Sequence, residues 1–122
     1  MIPEPENTEQ WAVNVAHSLY SVTAEFLPDT TTFGEIRILT FIALASMKGT
    51  AVTTKEISEG TGIPAYGISR VVSRYLEVGT LEERPHPSDG RSKQICFNDE
   101  AHALNSQWAS KLRQTFEAND IL

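Results

Sequence analysis

A chain of 122 residues, 40% hydrophobic and 21% charged, is about one globular domain, able to bury roughly two thirds of its unfolded surface. Its single cysteine, Cys96, excludes an internal disulfide framework and a multi-cysteine metal site, and points to a reducing interior. The net charge of -6 argues against an indiscriminate polyanion binder.

That sum hides a gradient. Residues 1–47 hold one cation, Arg37, against six acids; residues 48–98 hold seven cations and six acids; residues 99–122 hold two cations and four acids. A nucleic-acid surface is therefore to be sought in the middle of the chain, because phosphate would repel both ends. The opening "MIPEPENTEQ" is acidic and proline-broken, the opposite of a signal peptide, and the apolar run "FIALA" from Phe41 is far too short for a bilayer. A cytoplasmic protein without a membrane partner is expected.

In chain order, residues 7–27 carry Trp11, Val15, Leu19, Val22 and Phe26 at spacings of four, four, three and four, one stripe of an amphipathic helix stopped at Pro28. "TFGE" from Thr32 matches a capping box, and the following "IRILTFIALASM" is apolar around most of its circumference, which predicts a central, buried helix ending at Gly49. "TTKE" from Thr53 is a second capping box, opening a short helix. "GTGIP" then turns the chain, with Pro64 suited to the first position of the next helix because its missing N–H has no partner there. That helix, "AYGISRVVSRYLEVG", places Ile68, Val71, Val72, Tyr75 and Leu76 on one side and stops at Gly79. "TLEER" and "KQICF" bracket the turn "PHPSDGRS" as two short antiparallel strands. Residues 99–119 form a last helix, with Ala101, Leu104, Trp108, Leu112 and Phe116 at helical spacing.

Short helix, tight turn, longer helix and hairpin describe a mainly α, winged helix-turn-helix fold within a single domain: helix-turn-helix at 53–79, wing at 80–98, and N- and C-terminal helices at 7–27 and 99–119. The face of the longer helix opposite its apolar stripe presents Ala65, Tyr66, Ser69, Arg70, Ser73 and Arg74. Arginine forks match guanine edges, and hydroxyls bond bases or phosphate, although two arginines also suit a solvated helix face. Gly67 costs a helix about 1 kcal/mol relative to alanine. Its missing side chain makes room for either the preceding helix or a sugar-phosphate backbone.

The stretch "GTLEERPHPSDGRSKQICFND" resembles the wing of the MarR family of bacterial transcriptional regulators, with Asp89 and Arg91 at the family's Asp-x-Arg, Arg84 at its preceding arginine, and Ile95 and Phe97 as its inward-facing apolar pair. "EISEGTGIPAYGISRVVSRYLEVG" resembles the family's helix-turn-helix and "TFGEIRILTFIA" its second helix, so the likeness runs from about Thr32 to Ala101. It implies a homodimer on double-stranded DNA. Tyr66, Ser69, Arg70, Ser73 and Arg74 would serve the major groove, and Arg84, Arg91 and Lys93 the minor groove and flanking phosphates. Asp89 would brace the wing by pairing with Arg84 or Arg91 and accepting turn N–H bonds. The sequence departs from the pattern at Thr80, where an apolar residue is usual, at Gly90, where a second arginine is usual, and in having one C-terminal helix in place of two.

Trp11, Val15, Leu19, Val22, Leu104, Trp108, Leu112 and Phe116 exceed what a small winged module needs for a core. They build a twofold dimer interface, or else the two terminal helices pack on each other within one chain. His17, His86 and His102 lack ligand spacing, so no metal and no cofactor is expected. Cys96 should point away from Ile95 and Phe97 as an inert, partly covered thiol. The family often takes small aromatic or phenolic effectors, but nothing in this sequence names a ligand. No phosphate loop, nucleophile motif or paired carboxylates suggest an enzyme. Two other readings remain: a winged-helix module that binds a protein partner without DNA, and a ligand or redox sensor on the same scaffold.

Overall fold

The structure, a computed structural model, describes residues 7–121. Within them run α1 Thr8–Thr23, α2 Phe33–Met47, α3 Thr54–Thr61, α4 Ala65–Glu77, β1 Leu81–Pro85, β2 Lys93–Phe97 and α5 Asp99–Ala118. Among the described residues the chain divides into two units, one of Thr31–His102 and one of residues 7–30 with 103–121.

The first unit is built around α2. Ile38 and Ile42 of that helix, Ile57 of α3 and Ile68 of α4 are fully buried, and Leu39, Ala43, Val52, Val72, Leu81, Ile95, Phe97 and Ala101 complete the cluster. Each buried isoleucine contributes about 1.5–3 kcal/mol relative to exposure. Helices α2 and α3 come so close that a Cβ on Gly60 would lie 2.1 Å from the Phe41 ring. Thr53 caps α3 with the complete box: its hydroxyl accepts from Glu56 N–H at 3.1 Å, and Glu56 Oε1 accepts from Thr53 N–H at 2.9 Å. Thr32 makes only half of that motif on α2, accepting from Glu35 N–H at 3.1 Å. The Glu35 side chain goes elsewhere.

Pro64 proves to be the N-cap of α4 rather than its first residue, with ψ 147 outside the helical range and its carbonyl accepting from Gly67 and Ile68. Gly79, at φ +86, lets the chain reverse after α4, where Thr80 N–H reaches back to Tyr75 O at 2.9 Å. The strands pair antiparallel from Leu81↔Phe97 to Pro85↔Lys93. A single-residue bridge, Val52↔Ile95, adds a third edge that periodicity could not reveal. Asn98 caps α5 by accepting from Ala101 N–H at 2.9 Å, and its amide donates to Gly79 O.

In the second unit, regular α1 ends at Thr23 rather than at 27. Glu25 and Phe26 close tighter i−3 bonds to Val22 and Thr23 just before Pro28, whose ring disfavours helix in the preceding residue. The Trp108 indole donates to Thr23 Oγ1 at 3.1 Å, and Lys111 approaches Glu25 at 3.9 Å. Helix α5 closes with Asp120 at φ 57 and Ile121 N–H on Phe116 O at 3.0 Å. This 6→1 bond caps the last turn while Ile121 is buried.

Candidate nucleic-acid interface

At 100° per residue, the burial of Ile68 and Val72 directs the opposite side of α4 outward. Tyr66, Ser69, Arg70, Ser73 and Arg74 are all exposed there, Tyr66 at 79%. The two arginines differ. Arg74 pairs with Glu35 of α2 and stacks over the Tyr75 ring at 5.6 Å, while no described acid pairs with Arg70.

The turn that aims α4 is held by side chains from α2 and α3. The Arg37 guanidinium of α2 donates to Thr61 O, Thr61 Oγ1 donates to Ile57 O at 2.7 Å, and Ser58 Oγ donates to Ile63 O at 2.6 Å. Gly62, the C-cap of α3 at φ +75, supplies the left-handed residue the turn requires. Gly67 is not where the helices meet: a Cβ there would touch only Ile63 Cγ2, at an ordinary 3.4 Å.

In the wing, Asp89 Oδ1 accepts from Arg91 N–H at 3.0 Å, Oδ2 accepts from Ser92 Oγ at 3.3 Å, and the Arg91 Nε lies 3.8 Å from Oδ1. The carboxylate thus meets Arg91 and not Arg84. The Arg91 side chain is 97% exposed, so this long ion pair contributes little and leaves the guanidinium to solvent. His86 Nδ1 accepts from Ser88 N–H at 3.0 Å on the other side of the turn. Arg84 stands opposite Gln94 and Lys93 opposite Pro85, both cations exposed at the stem of the hairpin. An open groove of about 540 Å³ lies beside Arg84, lined also by Val52, Glu56 and Gln94.

Cys96 departs from the expected partly covered thiol. It is 3% exposed, and burial pushes its thiol pKa up, with Arg84 opposing and Glu82 adding to the shift. Its neighbours Ile95 and Phe97 are also buried, so both faces of β2 are covered at this end.

Of the eight apolar residues on the terminal helices, Val22 is buried, Leu104 is 55% exposed, and Trp11, Val15, Leu19, Trp108, Leu112 and Phe116 are half-buried. The Trp11 indole nitrogen is buried without a hydrogen-bond partner among the described residues. Among those residues no group of three His, Cys, Asp or Glu could hold a metal, and no helix is long and apolar enough to cross a membrane.

Sequence reasoning missed Glu35, Arg37 and Ser58, the side chains that aim α4. The available signal was charge out of place: an acid and a cation two residues apart at the start of an otherwise apolar helix.

A short helix, a braced turn, an amphipathic second helix and a paired hairpin define a winged helix-turn-helix. The sequence profile of the MarR family matches residues 30–92. The chain belongs to the MarR family, whose members are transcription regulators. Solved structures agree on the fold. The multiple antibiotic resistance repressor MarR aligns over 98% of this chain and 81% of its own, at 18% identity and TM-score 0.68. RV1404 from Mycobacterium tuberculosis aligns over 93% and 71%, at 15% identity and TM-score 0.68. The PcaV transcriptional regulator from Streptomyces coelicolor, solved with its natural ligand, aligns over 88% and 73%, at 19% identity and TM-score 0.59. No curated protein sequence matches the chain.

Proposed function

We propose that this protein is a sequence-specific, double-stranded DNA-binding transcriptional regulator, a cytoplasmic homodimer without enzymatic activity. The observation that carries this reading is where an acidic protein leaves its cations uncovered. Arg70 projects from the outer face of α4 without an acidic partner among the described residues, and Arg91 projects from the wing with only a long contact to Asp89. In this reading Tyr66, Ser69, Arg70, Ser73 and Arg74 enter the major groove, while Arg91, with Arg84 and Lys93 behind it, follows the minor groove and its phosphates. Asp89 holds the turn that presents Arg91.

Val13 at 64% and Leu104 at 55% exposure, beside half-buried Trp11 and Trp108, support a twofold interface made by α1 and α5. Such a dimer would set two recognition helices on successive major grooves, about 34 Å apart. A small-molecule effector fits the family.

Selection from random duplexes tests the proposal: an enriched palindrome is expected. Arg91→Ala should then weaken binding and lower the salt slope by about one while thermal stability holds. No enrichment at low salt would favour the protein-interaction module, a reading to which the net charge of -6 lends weight.

A further inference from the structure

Two capping sequences in this chain, "TFGE" and "TTKE", have different outcomes. Glu56 returns its carboxylate to Thr53 and completes the box. Glu35 leaves Thr32 with only its backbone N–H and turns its side chain toward α4. Burying a carboxylate is costly unless its charge and lone pairs are met. Glu35 is 7% exposed, and two α4 side chains meet it: the Arg74 guanidinium pairs with Oε1, and the Tyr75 hydroxyl donates to Oε2 at 3.4 Å.

Among the described residues, Arg74 is ion-paired at one edge. Its side chain remains 54% exposed, with its cation 5.6 Å from the centroid of the Tyr75 ring. A guanidinium has five N–H donors in a planar fork, so a carboxylate behind it leaves other donors directed outward. Arg74 follows Arg70 by four residues and Gly67 by seven, so the three share one flank of the helix.

We propose that Glu35 is a positioning residue for DNA binding: with Tyr75 it fixes the Arg74 guanidinium in advance, so that Arg74 meets a backbone phosphate without first being ordered. This rests on the reading of α4 as the DNA-facing helix. Immobilising a rotamer-rich side chain on binding weakens affinity about 2- to 10-fold, and Glu35 removes that cost beforehand.

The test is a double-mutant cycle on the full chain, with the duplex enriched by selection, measured at several salt concentrations beside thermal melts. Glu35→Gln should weaken binding about 2- to 10-fold in the wild-type background and have no effect in an Arg74→Ala background. Arg74→Ala itself should lower the salt slope by about one. Tyr75→Phe should show a smaller loss with the same dependence on Arg74, and it carries the test if Glu35→Gln does not fold.

Unchanged affinity on Glu35→Gln would reduce Glu35 to a structural role. Tighter binding with a steeper slope would mean that the carboxylate masks Arg74. An equal loss in both backgrounds would show that Glu35 does not act through Arg74. Each of these overturns the proposal while leaving DNA binding intact, whereas a wild type that binds no duplex overturns both.

Discussion

The winged unit and the terminal helices both leave some large apolar side chains exposed, Phe33, Leu44, Met47, Tyr66 and Val78 in the first and Val13, Tyr20 and Leu104 in the second, but they differ in the core they close. In the winged unit four isoleucines from three helices lie at 0–1% exposure, and the hairpin adds Leu81, Ile95 and Phe97 to the same cluster. On α1 and α5, two tryptophans are only half-buried, while Val13 and Leu104 stand in solvent. A unit that closes its own core is a scaffold able to hold side chains in place. Helices whose largest apolar side chains, Trp11 and Trp108, are only half-buried still have surface to bury, and a second copy of the chain is the partner we propose for them.

The sharpest way to break this contrast is within the winged core. Ile57→Ala should cost about 2–5 kcal/mol in denaturant unfolding, because its site at 0% exposure leaves a cavity with little freedom to collapse. A loss below about 1 kcal/mol would mean that the core is looser than its burial implies. Gly67→Ala should act with the opposite sign, stabilising the chain by about 1 kcal/mol, since the added methyl meets only Ile63 at 3.4 Å. Operator affinity should fall at the same time if the glycine makes room for a sugar-phosphate backbone. A stabilised variant with wild-type affinity would take that flank of α4 off the DNA.

Leu104→Glu should have the smallest effect on the fold of one chain, within about 0.5 kcal/mol, because an exposed leucine contributes little to it. Its sedimentation mass should nonetheless fall from two chains to one. A dimer that survives this substitution would move the interface away from α5. Leu104 is a cleaner probe than Trp108, whose indole also serves its own chain through Thr23.

The wing shows how far local chemistry alone can be read. "PSDG" with a following arginine predicts a turn closed by Asp89, and the carboxylate accepts the Arg91 N–H two residues on, an interaction that needs nothing from the rest of the molecule. The outer face of α4 was legible for the same reason: Ile68 and Val72 mark the buried side, and the helical period assigns the remainder. Cys96 was legible only in part, because alternation assigns it to the other face of β2 but is silent on whether anything covers that face.

By itself, then, the sequence determined the features that repeat over a few residues: helix period, the Thr53 cap, the Gly79 stop, the wing turn and the stripes on α1 and α5. Tertiary structure decided which partner each lone polar group found. Glu35 lies 39 residues before Arg74, Arg37 lies 24 before Thr61, and Val52 meets Ile95 across 43. Periodicity cannot encode such pairings, because they depend on how α2 is enclosed by the elements that follow it. A buried acid at the start of that helix must find a cation wherever packing places one, and here packing placed Arg74 within reach.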